Sequence, residues 1–368
     1  MRILFTRFPL ESALGGAEIQ TLALMEGLRA RGHEVSFLGS CPVLLRLTRE
    51  AGFAALALDV GEPPVSAKLA ASFGWRQRRM RAALEQALAD LPAPDAVCML
   101  SLSEKLLLTA PLAARGVRVL WIEHDRLGRW LKMNPWRPRL RHLAPLATTV
   151  AVSELSRRLY REMGWPADHT VAIGNGVDTD RFAVLPLPPS RTGPLQVGCV
   201  ARLTRDKGVD LLVEAVAGLP EIFLTLVGSG RDEAEVRAAM AAARARGTDV
   251  ALLTPPLDTA EFLRERDVLV LPSRDHDPFG LVAAEAMAAG RAVIVTGACG
   301  IAGELRDGVD ALIVPAGNAA ALRAAIVRLR NDEELRLRLC DNARQTALAR
   351  FGLQPMVEAY ERLLTHKK

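Results

Sequence analysis

Two acidic residues lie on either side of a tight turn in the stretch DHDPFGLVAAEAMAAG, residues 275–290. Asp277 precedes the Pro-Phe-Gly turn, and seven residues separate it from Glu285. The run DVLVLPS before the turn predicts a buried strand, and the alanine-rich run after it predicts a helix over 281–289. Because carboxylates accept hydrogen bonds from hydroxyl groups, the turn is a candidate site for sugar or ribose hydroxyls.

The predicted helix also supplies hydrogen-bond donors, because the first N–H groups of a helix have no partner within it. These groups belong to Phe279, Gly280, Leu281 and Val282. They favour an anion or sugar hydroxyls, since the positive end of the helix dipole lies there. Structural roles are also open, with Asp277 as a turn former and Glu285 as a solvated helix residue.

A basic loop, ARLTRDKG at 201–208, follows another predicted strand. Arg202 and Lys207 precede a helix, and two cations beside a glycine at the carboxyl end of a strand suit a diphosphate. A solvated surface loop is the alternative, because basic loops are common.

Two glycine-containing turns are further candidates for contact with a phosphate. Gly15 and Gly16, in GGAE, follow the first predicted strand and open a helix, where the backbone can approach an anion closely. Gly230 lies in GSGRDE, which is better explained as an ordinary turn with a helix cap. Neither turn is GxGxxG, so the dinucleotide-binding fingerprint is missing.

Short apolar runs alternate with helical patterns along the whole chain, which predicts βαβ units and parallel sheets. We expect a Rossmann-like domain over 1–185, a Pro-rich linker over 186–194 and a second Rossmann-like domain over 195–351. Such doubly wound domains bind ligands beyond the carboxyl ends of their strands, and a cleft between two facing domains is the expected site.

The composition is that of a globular protein of 368 residues, half of them hydrophobic and 24% charged. The five cysteines are scattered without a CxxC pair, which favours a reducing, cytoplasmic environment over a zinc site or a disulfide framework. The N-terminus predicts a strand, not a signal peptide, and no apolar run reaches the ~20 residues of a membrane span. The charge of +5 is small and no nucleic-acid motif is present, so nucleic acid is not an expected partner.

A basic stretch with tryptophans spans 126–141, with six Arg or Lys residues and no acid. WRQRRMR at 75–81 adds a second basic cluster. Cations mixed with tryptophan and leucine suit peripheral association with an anionic membrane, such as the inner face of the cytoplasmic membrane, or a phosphorylated lipid acceptor. The alternative is a solvated helix and loop whose tryptophans pack on the sheet.

Five motifs in order resemble the family-4 retaining glycosyltransferases of GT-B fold. They are GGAE with RGHEV, AVSE with NGVD, ARLTRDKG, the acid pair with its FG turn and EAMAAG helix, and FGLQPMVEAYERLL. The last motif resembles the terminal helix, here 352–368, that crosses back to the first domain in that family. The resemblance runs along most of the chain.

The resemblance implies a role for each matching residue. Arg202 and Lys207 would bind the donor diphosphate and stabilise the leaving nucleotide, and Glu285 would hold the ribose. Asp277 would contact the transferred sugar, and His124 would lie near that sugar, although a histidine at this position is otherwise more often a packed one. Remaining donor contacts would come from Gly15, Gly16, Gly230 and the turn residues Phe279, Gly280, Leu281 and Val282.

One residue departs from the family pattern, which typically has glutamate at both ends of the acid motif. Asp277 is one methylene shorter, which withdraws the carboxylate by roughly 1.5 Å and points to a different donor sugar or a rebuilt loop. The resemblance implies a nucleotide-sugar donor, retention of configuration and no metal or other cofactor, with the leaving phosphate helping to deprotonate the acceptor.

The expected function is therefore hexosyl transfer from a UDP- or GDP-sugar to a glycan, lipid-linked or other glycoconjugate acceptor. Two alternatives stay open, namely a sugar-nucleotide epimerase of GT-B fold and a non-catalytic GT-B-like protein that binds a nucleotide without turning over a donor. A nicotinamide dehydrogenase is disfavoured by the missing glycine fingerprint. The donor base is expected to be recognised by pocket shape and backbone, around 255–257.

Overall fold

A computed structural model of the protein has two compact α/β units. They comprise Met1–Gly174 with Met356–Lys368, and Asn175–Pro355. The residues that the structure describes are 1–10, 15–183, 193–255 and 258–365, without the side chains of Arg129 and Trp130. Most of the expected linker 186–194, and two of the three residues expected near the donor base, 256 and 257, lie outside the described residues.

The first unit contains a seven-stranded parallel sheet in the order β3-β2-β1-β4-β5-β6-β7. Its strands are β1 (Arg2–Arg7), β2 (Glu34–Gly39), β3 (Ala54–Ala57), β4 (Ala96–Met99), β5 (Arg118–Glu123), β6 (Thr148–Ala151) and β7 (Thr170–Ala172). Its helices are α1 (Gly16–Ala30), α2 (Pro42–Glu50), α3 (Ala67–Ala89), α4 (Leu102–Ala114), α5 (Arg129–Met133), α6 (Arg137–Leu143) and α7 (Glu154–Glu162).

The second unit contains a six-stranded parallel sheet in the order β10-β9-β8-β11-β12-β13. Its strands are β8 (Leu195–Val200), β9 (Ile222–Val227), β10 (Asp249–Leu253), β11 (Val268–Leu271), β12 (Ala292–Thr296) and β13 (Leu312–Val314). Its helices are α8 (Thr179–Ala183), α9 (Val209–Val216), α10 (Glu233–Ala245), α11 (Thr259–Arg264), α12 (Leu281–Ala288), α13 (Ala319–Asn331) and α14 (Glu333–Arg350). The final helix, α15, spans Leu353–Thr365.

Local sequence signals account for several element ends. The α3 helix begins after Ser66, whose side chain accepts a hydrogen bond from the Leu69 N–H, and α4 begins with a capping box formed by Ser101 and Glu104. The central strands are almost entirely apolar and buried on both faces, as in β11 and β12, which is the pattern of a strand covered by helices on both sides. The predicted fold class of two doubly wound parallel-sheet domains is confirmed.

Each sheet has a point where the strand order reverses, between β1 and β4 in the first unit and between β8 and β11 in the second. Loops diverge at such a point, so a crevice opens beyond the carboxyl ends of the two strands. In the second unit, the two loops that follow β8 and β11 are the basic loop and the acidic turn singled out in the sequence.

Candidate functional site

An ion pair joins the two loops of the second unit. The Lys207 Nζ lies 2.7 Å from the Asp277 Oδ2, and the Ser273 hydroxyl donates to the same oxygen at 3.1 Å. The exposed fractions of the Lys207 and Asp277 side chains are 17% and 11%. A charge pair held this close at the point where the strand order reverses brings both predicted residues to one place.

The backbone fixes Asp277 independently of its side chain. Its N–H donates to the Ala298 carbonyl at 2.9 Å, and its carbonyl accepts from the Gly300 N–H at 2.8 Å. Asp277 is thereby attached to the loop after β12, so its carboxylate has a defined position. The backbone of Asp277 thus forms part of the turn, as the structural interpretation holds, while its side chain forms an ion pair with Lys207.

The basic loop is packed tightly against the loop that follows β11. Gly208 has a φ of +66°, and a Cβ built there would lie 2.1 Å from the Pro272 carbonyl oxygen. Only glycine fits such a left-handed position with backbone so near. Arg274 adds a bidentate ion pair with Asp210, at 2.5 and 2.6 Å, and its N–H donates to the Asp206 carbonyl. These contacts give Lys207 a rigid support.

Arg202 lies exposed in the same loop, and its guanidinium makes no hydrogen bond or ion pair within the residues that the structure describes. Gly230 contacts this loop from the turn after β9, where a Cβ would lie 2.4 Å from the Leu203 carbonyl oxygen. The Leu203 N–H donates to the Ser229 carbonyl at 2.9 Å. Gly230 therefore has a packing role here, which agrees with the turn interpretation and leaves its donor contact a prediction.

The acidic turn leads directly into α12. Gly280, with a φ of +102°, is the residue before its first turn, and Phe279 is buried against Phe351 with ring centroids 6.1 Å apart. In the described part of the chain, none of the four N–H groups from Phe279 to Val282 donates a hydrogen bond. Leu281 and Val282 are half-buried, so this helix N-terminus offers free donors, as predicted.

Glu285 is a half-buried carboxyl on α12. Burial raises its pKa to about 7, while the charge of Arg181 lowers it and that of Asp258 raises it. Arg181 is itself paired with Asp258 at 2.8 Å, so its charge is largely compensated. Within the described residues, the Glu285 side chain makes no hydrogen bond or ion pair, and none joins it to Lys207 or Asp277.

The first unit also gathers charges at the carboxyl ends of its central strands, but there the charges are paired. Arg7, at the end of β1, forms an ion pair of 2.6 Å with Glu18 of α1. Both side chains are at most 10% exposed. Gly15 precedes α1 in an extended conformation and Gly16 is its first residue, and a Cβ at Gly15 would lie 3.4 Å from the Glu18 carboxylate. The glycines thus lie beside a carboxylate, not beside an unpaired cation.

A second buried pair joins Lys105 of α4 to Glu123 at the end of β5, at 2.9 Å. His124 follows directly. Burial, together with the charges of Arg7 and Lys105, lowers the pKa of His124 to about 3, so its imidazole is neutral. A neutral imidazole can donate one hydrogen bond and accept another, which suits hydroxyl groups.

Glu104 is a fully buried carboxyl in this unit that sequence analysis missed. One oxygen accepts from the Ser101 N–H at 2.7 Å, while the other has no hydrogen-bond partner. Burial raises the pKa of Glu104 to about 7, although hydrogen bonds from the backbone of Glu104 and Ser101 oppose this. The spacing of Ser101 and Glu104 signals the capping box, but nothing local signals the burial.

The basic stretch 126–141 forms α5, the start of α6 and the segments around them. Trp136 packs edge-on against Phe73 at 5.1 Å and donates from its indole N–H to the Ala70 carbonyl. Trp136 is therefore a packed tryptophan, with its contacts on α3. Exposed apolar side chains remain nearby, namely Met133 at 79% and Trp75 of α3 at 91%.

The described residues lack both a candidate metal cluster and a candidate membrane-spanning helix. Among the described residues, no group of three or more His, Cys, Asp or Glu is arranged to hold a metal ion. No helix in the described ranges has the length and apolar character needed to cross a bilayer.

Two family profiles match the chain. The family described as Glycosyltransferase Family 4 matches residues 14–181, and the family described as Glycosyl transferases group 1 matches residues 187–346. The two matches follow one another along the chain, so one profile covers most of each unit.

Curated relatives include proteins named as glycosyltransferases. The lipopolysaccharide core biosynthesis glycosyltransferase LpsE of Rhizobium meliloti (strain 1021) is 31% identical over 211 residues, which cover 56% of this chain and 60% of LpsE. The chain thus spans less than two thirds of this relative. The phosphatidyl-myo-inositol mannosyltransferase of Mycolicibacterium smegmatis is 29% identical over 339 residues, which cover 88% of this chain and 83% of that enzyme.

A solved structure matches nearly the whole chain. The Anabaena protein HepE in complex with UDP has a TM-score of 0.83 at 20% identity, and the match covers 99% of this chain and 100% of HepE. HepE is also known in complex with UDP-glucose. At this identity the likeness shows a shared fold.

Proposed function

Since the chain belongs to the group 1 and family 4 glycosyltransferases of GT-B fold, we propose that it moves a hexose from a UDP- or GDP-sugar to an acceptor. The acceptor is a glycan, a lipid-linked saccharide or another glycoconjugate, and the anomeric configuration is retained. The observation that carries this proposal is the pairing of Lys207 with Asp277, beside the unpaired Arg202.

The basic loop provides the diphosphate site. Lys207 is held by a carboxylate and rigid backbone, and Arg202 is exposed with its guanidinium unpaired among the described residues. Both cations follow β8, and the free N–H groups of α12 follow β11, so two sources of positive potential flank the same crevice. As the bond to the sugar breaks, negative charge grows on the leaving phosphate, and preorganised cations stabilise it.

Glu285 is the proposed ribose ligand. Its carboxyl has no partner among the described residues, and its pKa near 7 lets it ionise when hydroxyl groups donate to it. The bound nucleotides of HepE favour a uridine donor, and UDP-glucose is the first donor to test.

Asp277 is proposed to contact the transferred sugar through the oxygen that Lys207 does not hold. Its ion pair with Lys207 suits electrostatic support of the sugar better than proton transfer. We therefore assign deprotonation of the acceptor to the leaving phosphate. The donor cations take the place that a metal ion fills in other transferases, and we propose that no metal is required.

The first unit is proposed to receive the acceptor. Its buried charges near the carboxyl ends of β1 and β5 are neutralised in pairs, and the neutral His124 lies at the end of β5 among them, which suits hydroxyl groups of a saccharide. LpsE and the mannosyltransferase point to envelope acceptors. We propose a cytoplasmic enzyme that contacts an anionic membrane through 126–141, where exposed Met133 lies among cations.

A donor screen tests this proposal. Purified protein is incubated with UDP-, GDP-, ADP- and TDP-sugars and lipopolysaccharide-core or phosphoinositide acceptors, with and without EDTA, and proton NMR reports the anomeric configuration. One nucleotide family that supports transfer in EDTA, with retention, is the expected result. Free sugar without any transfer product, or binding without turnover, would instead identify the epimerase-like or the non-catalytic alternative.

A further inference from the structure

A pocket of about 430 Å³ lies in the first unit, between the α5–α6 segment and the C-terminal end of α7. Three cations line it, Lys132, Arg137 and Arg141, with Glu162 as the acid on its wall. The pocket is separate from the residues assigned above to donor and acceptor, because those follow the carboxyl ends of strands and this pocket lies at the far end of α7.

The three cations are not committed to protein partners. Within the described residues, none of their side chains makes a hydrogen bond or an ion pair, and Glu162 forms no ion pair either. Three positive charges and one negative charge leave the pocket with a net charge of about +2. Like charges gathered without counter-ions repel each other, so an anion bound among them is stabilised.

The turn after α7 is shaped to admit one of these cations. Gly164 has a φ of +94°, and a Cβ built there would lie 2.5 Å from the Arg141 Nε. A side chain at this position would therefore displace the Arg141 guanidinium. The end of a helix also favours a nearby cation through its dipole, which is the structural alternative for Arg141 alone. It does not account for Arg137, which lies one turn before Arg141 on α6, or for Lys132 of α5.

We propose that this pocket binds the phosphate group of an anionic small molecule or lipid headgroup. Arginines bind phosphate oxygens in a bidentate manner, and two of them with a lysine match one phosphate. The volume exceeds that of a bare phosphate and lies in the lower range of small-molecule sites, which leaves room for a glycerol or sugar moiety. Met133, 79% exposed and next to Lys132, adds apolar surface at the same segment.

The free-anion part of this proposal does not rest on the proposed sugar transfer, because its test is binding in solution. The headgroup part rests on the proposed membrane contact, since Lys132, Arg137 and Arg141 lie within 126–141. Calorimetry with inorganic phosphate and glycerol 3-phosphate probes the free anions. Co-sedimentation with vesicles of phosphatidylcholine, alone or with phosphatidylglycerol, probes the headgroup. The variants are Arg141→Ala and Arg137→Ala. They are tested separately, so that if one fails to fold the other still tests the pocket. Arg115→Ala, an exposed cation of the same unit outside the pocket, is the matched control.

Each pocket variant is expected to weaken binding by about tenfold or more, with Arg115→Ala close to the original protein. Binding of glycerol 3-phosphate that both variants weaken identifies a free phosphorylated ligand. Selective loss of binding to phosphatidylglycerol vesicles identifies a headgroup. The proposal is overturned if no probe binds, or if Arg115→Ala weakens binding as much as the pocket variants do, since diffuse surface charge then explains the attraction.

Discussion

Both units have charged side chains near the carboxyl ends of their central parallel strands, but the charges are paired to different extents. In the first unit, Arg7 and Lys105 are buried and each is neutralised by its own glutamate. In the second unit, the Asp277 carboxylate that pairs with Lys207 also accepts a hydrogen bond from Ser273, and part of the Lys207 side chain stays exposed. Arg202 is exposed and unpaired within the described ranges.

This difference separates structural charge from charge available to a ligand. A buried pair that is fully compensated attracts no ion, and its removal is felt as a loss of stability. A supported but incompletely compensated cation attracts a diphosphate, and its removal is felt as a loss of binding. We therefore expect the charged part of the donor at the carboxyl ends of the strands in the second unit, and neutral hydroxyl groups at those of the first.

The largest expected effect is on stability, in the first unit. Lys105→Ala leaves the Glu123 carboxylate buried without its cation, and the expected loss is about 3–5 kcal/mol of unfolding free energy. Urea denaturation measures it, with Lys68→Ala, an exposed lysine of the same unit, as the control. If Lys105→Ala keeps its stability but loses activity, Lys105 contacts a ligand. The proposed difference between structural charge in the first unit and ligand-binding charge in the second would then be wrong.

A split between binding and turnover is expected for Asp277→Asn in the second unit. The amide removes a negative charge beside the donor diphosphate, so KM for the donor is expected to fall. It also removes the carboxylate proposed to support the sugar, so kcat is expected to fall by about 100-fold. Steady-state kinetics with Asp277→Glu as the conservative control measure both. If the fall in kcat is accompanied by a fall in the unfolding free energy that accounts for it, Asp277 has a structural role instead.

A smaller, pH-dependent effect is expected for Glu285→Gln. Burial raises the pKa of Glu285 to about 7, whereas an unfolded glutamate titrates near about 4.3. Between these values the native protein holds a proton that the unfolded chain has released, so the unfolding free energy falls as pH rises. Donor binding should instead tighten as pH rises through about 7. Glu285→Gln should remove both trends relative to the original protein, and persistence of the binding trend would exclude Glu285 as the ribose ligand.

The sequence predicted those parts of the site that local patterns encode. Strand and helix periodicity places 201–208 and 275–280 after strands, and the doubly wound order then brings the two loops together. The sequence did not predict that Lys207 pairs with Asp277, only that both lie at this edge of the sheet. The residues that hold the loops were not predictable, because Arg274 and Asp210 lie 64 positions apart and carry no motif.

The burial of individual side chains also could not be predicted from the sequence. Glu104 and Glu285 look like ordinary helix glutamates in the chain, and only packing by distant elements raises the pKa of each to about 7. The docking of Trp136 on α3 depends on contacts with Phe73 and Ala70, more than sixty positions away. Such contacts depend on which helices share a face of the sheet, and no local period encodes that.

The most direct test of the central claim is calorimetric binding of UDP-glucose and GDP-mannose to the original protein, Lys207→Ala and Arg205→Ala. Arg205 is an exposed cation of the same loop without an assigned role, so it controls for net charge. We predict that one donor binds, that Lys207→Ala weakens it by about 100-fold while remaining folded, and that Arg205→Ala changes it little. Equal binding by all three proteins would contradict the assignment of the diphosphate to Lys207.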